Sequence, residues 1–153
     1  MDGWCAQEVV EGDHPKEGRW EEVLATCDRF HEAVAHFARP EFMDDGSEPN
    51  AWAIGDLVAW EEMDAPIPDD YLTQLLDMRR PINARAQFVH GDFTENVLFA
   101  DGLLPAVIDI SPYWRPVGFA HAVVVADAVC WRNADPEALL KCVAHVETQF
   151  GRL

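Results

Sequence analysis

Residues 88–110 read FVHGDFTENVLFADGLLPAVIDI. Two aspartates, Asp92 and Asp109, fall at or inside short apolar runs, and Asn96 stands between them. The run at 87–89, the run at 96–99 and the run at 106–110 each have the length of a short strand. Asp101-Gly102 supplies a turn, so Val97 to Ile110 is expected to form a hairpin. An acid at the end of a buried strand is either a turn residue or a group that holds a metal and a reacting oxygen. A carboxylate among Val107, Ile108 and Ile110 is costly unless it is paired or metal-bound.

The flanking sequence is helical in period. Val23, Leu24, Cys27, Phe30, Val34 and Phe37 recur at helical spacing from Trp20, and Pro40 stops the run. Residues 40–50 are acidic, carry Gly46 and Pro49, and read as a loop. Asn50 is placed to cap a helix through Ile54, Leu57 and Val58. Beyond Pro66 and Pro68, Asp69 or Asp70 is placed to cap a third helix through Leu72, Leu75, Leu76 and Met78, stopped by Pro81. After the hairpin, Ser111-Pro112 breaks the strand pattern, and residues 117–132 return to an apolar helix. Pro136 opens a last amphipathic helix through Leu139, Leu140, Val143 and Val146. Helices, a small β insert and further helices make a mainly helical α+β domain.

The 153 residues are enough for one domain, and 49% of them are hydrophobic. Eleven Lys and Arg oppose 28 Asp and Glu, a net charge of −17. Such a chain is expected to bind no nucleic acid and no anionic membrane surface, since both interactions need cations. A nucleotide bound through a metal remains compatible, because the ion supplies the positive charge locally. A cationic substrate would be attracted. No apolar stretch approaches the roughly 20 residues of a membrane span. The first residues lack the pattern of a signal peptide, so the expected location is the cytoplasm. Cys5, Cys27, Cys130 and Cys142 form no C-x-x-C pair. They read as small buried hydrophobes in a reducing compartment. Histidines 14, 31, 36, 121 and 145 are expected on helix or loop surfaces rather than as ligands.

Phosphoryl transfer calls for one carboxylate to accept a proton, and for an asparagine and a second carboxylate to hold Mg²⁺ on the phosphates. Oxygen ligands suit that hard cation. The run His90-Gly91-Asp92, then Asn96-Val97-Leu98, then Val107-Ile108-Asp109 resembles the catalytic core of the aminoglycoside phosphotransferase family, whose fold is kinase-like. The resemblance implies that residues 13–153 form a kinase-like C-terminal lobe, with 1–12 as the hinge whose backbone meets adenine. It implies Asp92 as catalytic base, Asn96 and Asp109 as Mg²⁺ ligands, and His90 as a structural brace of the loop. ATP would be the phosphate donor and a small hydroxyl- or amine-bearing molecule the acceptor. The run SPYWRP at 111–116 points to an uncharacterised branch of the family.

Two departures stand beside the resemblance. A kinase catalytic loop has four residues between its aspartate and asparagine; this sequence has three, Phe93, Thr94 and Glu95. Glu95 itself is expected to face solvent. No G-x-G-x-x-G occurs, and Lys16 and Lys141 are the only lysines, so the chain is expected to be a C-terminal lobe without its N-terminal partner: a fragment, a mis-started reading frame or a degenerate paralogue. A lobe alone would expose apolar surface and self-associate. Two other functions compete: a non-catalytic kinase-like binding module, and a metal-dependent hydrolase built around Gly91-Asp92.

Overall fold

The computed structural model describes residues 8–16, 18–44, 48–65 and 70–150. Most of the expected hinge, residues 1–7, and Cys5 with it lie outside that range. Among the described residues, five α-helices, a short 3-10 helix at 41–44 and two small antiparallel sheets make an α+β arrangement. It falls into two compact units, residues 40–83 in one and the remaining residues in the other. Among the described residues no helix is long and apolar enough to cross a membrane.

The larger unit begins with α1, Trp20–Val34. Val23, Leu24, Cys27 and His31 form its buried stripe, the spacing that puts side chains on one helical face. Glu21 and Glu22 sit in the first turn, where a negative charge meets the positive end of the helix dipole. The helix stops near Ala35, and Pro40 keeps the chain from re-entering helical geometry at 39.

Strand β1, Gln87–His90, pairs with β4, Pro112–Arg115, from Gln87 opposite Arg115 to His90 opposite Pro112. Strand β2, Val97–Leu98, pairs with β3, Ala106–Val107. The hairpin is thus where the sequence puts it, but it is shorter. The Ser111-Pro112 break is in fact the start of a strand. Pro112 is the terminal residue of β4 in a two-stranded sheet, where its missing N–H costs no ladder bond. Asp13 and Phe99 form an isolated bridge with both N–H to O contacts at 2.9 Å. Gly12 precedes it at φ 146°, and a Cβ there would lie 2.9 Å from the Leu98 Cβ. Glycine is required at that crossing.

Helix α4, Val117–Arg132, follows Pro116 and ends at Asn133, which takes the left-handed conformation that asparagine tolerates. Helix α5, Pro136–Phe150, starts with proline at its first position, and the Asp135 carboxylate accepts the Glu137 N–H at 3.0 Å. Val23, Leu24 and Cys27 of α1 meet Phe93, Val97, Ala120 and Val124 in one buried cluster. The β insert is therefore clamped between α1 and α4, and Phe93 anchors the HGD loop in the core.

In the smaller unit, α2 is Ala51–Ala59 and α3 is Asp70–Asp77. The Asn50 side chain caps α2 by accepting the Ala53 N–H at 3.0 Å, as its sequence position predicts. Glu61, at φ 62°, ends that helix, and the Glu62 N–H returns to the Leu57 carbonyl at 2.8 Å, a Schellman closure. Arg79 donates to the Val58 carbonyl at 3.0 Å and pairs with Glu61.

Three expectations are corrected. Asp109 is not a buried strand carboxylate: β3 ends at Val107, and Asp109 is exposed with φ 46°. His31 and His121 are not surface residues but 1% and 5% exposed. Cys27 is buried and Cys142 half-buried, as small hydrophobes should be, but Cys130 is exposed.

Candidate functional site

The site grows out of the turn after β1. His90 is fully buried and its ring is held in place from several sides. Its Nδ1 accepts the Asp92 N–H at 3.3 Å and the Ser111 N–H at 3.2 Å. The same ring therefore ties the first turn of the loop to the start of β4. Its own backbone N–H donates to His31 Nε2 at 3.0 Å. His31 Nδ1 in turn donates to the Cys27 carbonyl at 2.7 Å. These bonds fix one neutral tautomer for each ring: Nδ1–H on His31 and Nε2–H on His90. Burial pushes the His31 pKa down to about 4, against the pull of the Cys27 carbonyl. Burial also lowers that of His90, opposed by the backbone at Ile108 and Ser111 and by the charges of Asp92 and Asp109. Both aspartates therefore lie within electrostatic reach of one imidazole.

Gly91 lies between the brace and the acid. A Cβ on it would fall 2.3 Å from Tyr113 Cδ2 and 2.4 Å from Cε2. The Tyr113 ring packs on the Gly91 backbone, and the Phe119 ring meets Tyr113 at 5.2 Å between centroids, tilted by 52°. Any side chain at 91 would lift this aromatic pair off the loop.

Asp92 is exposed, and its carboxylate has no hydrogen bond or ion pair among the described residues. The same holds for Asp109. Asn96 spends its amide nitrogen on the loop: Nδ2 donates to the Asp92 carbonyl at 2.7 Å. Its Oδ1 is left as an acceptor. The Asn96 carbonyl accepts the Ile108 N–H at 2.9 Å, so the hairpin pairing brings the residue before Asp109 alongside Asn96. The structure thus brings Asp92, Asn96 and Asp109 to one edge of the β insert, with His90 behind them.

The donor set can be compared with a Mg²⁺ ion. No group of three or more His, Cys, Asp and Glu capable of holding a metal occurs among the described residues. An ion held entirely by protein does not fit here. Mg²⁺ keeps several waters and takes one or two carboxylates besides substrate phosphates. The Asn96 amide oxygen and the Asp109 carboxylate fit that kind of ion.

Asp127, Arg132 and His14 also meet the loop, in contacts that the sequence spacing does not announce. Thr94, 4% exposed, donates its hydroxyl to Asp127 of α4 at 3.1 Å. Burial raises the Asp127 pKa, the Thr94 bond lowers it, and the charge of Asp92 raises it again. Arg132, in the last turn of α4, pairs with Glu95. His14 donates through Nδ1 to the Glu95 carbonyl at 2.8 Å. Below the loop, Asp28 of α1 and His121 of α4 form a buried pair at 2.6 Å, each 6% exposed at the side chain. The available signals were modest. Asp127 is the one acid within 117–132, and His31 falls four residues after Cys27 on the apolar stripe of α1.

Comparison with protein-family models, with characterised proteins and with solved structures finds no match to this chain.

Proposed function

We propose that the chain is a kinase-like C-terminal lobe of the aminoglycoside phosphotransferase type, which in its full-length form transfers the γ-phosphoryl group of ATP to a small molecule. The observation that carries the reading is the Asn96 Nδ2 bond to the Asp92 carbonyl. It locks the spacing of these two residues and leaves the Asp92 carboxylate and the Asn96 amide oxygen unpartnered beside Asp109. In this reading Asp92 takes the proton of the acceptor hydroxyl or amine as that atom attacks the γ-phosphorus. The bond to the bridging oxygen breaks and ADP leaves. Asn96 and Asp109 would hold Mg²⁺, which when bound offsets the charge of the phosphates. His90 and His31, both neutral, hold the loop without adding charge to the site.

The three-residue spacing between Asp92 and Asn96 favours a second reading, a kinase-like module that binds but does not transfer. Calorimetric titration of MgATP into the protein, with Asp109→Asn and Asp92→Asn beside it, separates the two. The phosphotransferase reading expects Mg²⁺-dependent binding that Asp109→Asn weakens and Asp92→Asn spares, with Asp92→Asn abolishing ATP turnover. Binding without any turnover that Asp92→Asn removes supports the module. No binding by a folded chain refutes both.

A further inference from the structure

We propose that Glu95 is a positioning residue, held by Arg132 and His14 so that the peptide it shares with Asn96 sets the direction of the Asn96 side chain. The inference rests on the reading of Asn96 as a metal ligand. Residues 93 and 94 are secured from inside, Phe93 by the core and Thr94 by Asp127. Asn96 is the next residue but one, and it is half-buried. Between them stands the exposed Glu95. Both ends of the Glu95–Asn96 peptide unit are hydrogen-bonded. The Glu95 carbonyl accepts His14 Nδ1–H at 2.8 Å, and the Asn96 N–H donates to the Phe93 carbonyl at 3.3 Å. A peptide unit is planar, so fixing both ends fixes the plane from which the Asn96 Cα departs.

His14 is a firm anchor because its neighbour Asp13 is bonded both ways to Phe99 of the hairpin. The carboxylate of Glu95 completes the hold through Arg132. That guanidinium ends α4, where the helix dipole also favours a cation. The loop is one residue shorter than a kinase catalytic loop. It has less slack to find the ligand geometry by itself, and the outside grip supplies the missing constraint.

An exposed ion pair adds little to global stability. The pair is therefore expected to show in the site and not in the melting temperature. Charge reversal separates positioning from direct metal contact, because the doubly reversed protein restores the pair while leaving an arginine at 95. The affinity of Mn²⁺ with ATP, read by electron paramagnetic resonance, is measured for wild type, Glu95→Arg, Arg132→Glu and the double variant. Each single change is expected to weaken binding about fivefold or more, and the double to recover to within about twofold. Singles at wild-type affinity overturn the proposal. So does a double as weak as Glu95→Arg, which would make Glu95 a direct ligand.

Amide hydrogen exchange is the second readout and needs no ligand. The Asn96 and Asp92 N–H groups are expected to exchange faster in each single variant and to return to the wild-type rate in the double. If wild type fails to hold Mn²⁺ with ATP, the phosphotransferase reading falls, and the exchange pattern alone decides whether Glu95 positions the loop. Unchanged exchange in the singles then overturns it.

Discussion

Lowering the pH should unfasten the loop at 90–96 from beneath, and His31 sets the size of the effect. Its ring is 1% exposed, accepts the His90 N–H at Nε2 and donates to the Cys27 carbonyl at Nδ1. A second proton on Nε2 would remove the acceptor on which His90 depends. Burial holds the folded pKa at about 4 against an ordinary 6.5. The unfolded chain therefore binds the proton more readily. The stabilisation is fully present above pH 6.5, and it is lost as pH falls from 6.5 towards 4. Each unit of that gap corresponds to about 1.36 kcal/mol. Linkage then gives a loss of about 3 kcal/mol by pH 4, of which about 2 kcal/mol falls between pH 7 and pH 5. His90, also lowered, adds in the same direction. Urea unfolding followed by circular dichroism at pH 7 and pH 5 measures the loss. His31→Gln keeps an acceptor for His90 but cannot titrate, so its loss over the same interval should be smaller by about 2 kcal/mol. Equal losses in wild type and His31→Gln would refute the reasoning.

Three further outcomes follow from the same contacts. Gly91→Ala drives a Cβ into the Tyr113 ring and should cost about 1–3 kcal/mol in urea titration, with the Tyr113 and Phe119 ring resonances shifted. Asp28→Ala leaves the buried His121 ring without its partner, and the expected cost is about 1–3 kcal/mol by thermal or chemical unfolding. Asp109→Gly removes a left-handed non-glycine residue. Relief of backbone strain and the added freedom of the unfolded chain nearly cancel, so stability should stay within about 1 kcal/mol while Mg²⁺-dependent nucleotide binding disappears.

Long periodic segments were legible because their signals are local. Helices α4 and α5 occupy 117–132 and start at Pro136, where apolar period and proline put them. Asn50 caps α2 by the same logic. Strand β4 was not legible, since its partner residues lie 22 to 28 positions upstream and Pro112 looks like a stop. Asp109 misled for a related reason. The apolar letters around it predict a strand, but one residue in the left-handed region turns the carboxylate out of the sheet. His90, Asp92 and Asn96 could be picked out as a group because they share one short loop. Their supports could not, because Asp28, His31, His121, Asp127 and Arg132 arrive from α1 and α4. A histidine on an apolar helical stripe is ambiguous until the helix has something to pack on. His31 was settled by the His90 N–H, which no sequence spacing specifies.

The most direct test is a titration of Mn²⁺ into ¹⁵N-labelled protein with and without ATP, followed by paramagnetic line broadening. The chain carries 28 carboxylates, so a diffuse response is the natural alternative to a site. The account predicts that with ATP the Asn96 side-chain amide and the backbone amides of Asp92 and Asp109 broaden first, and that Asp109→Asn abolishes this. Broadening spread over exposed acids such as Glu41, Glu61 and Glu62, indifferent to ATP, would contradict it.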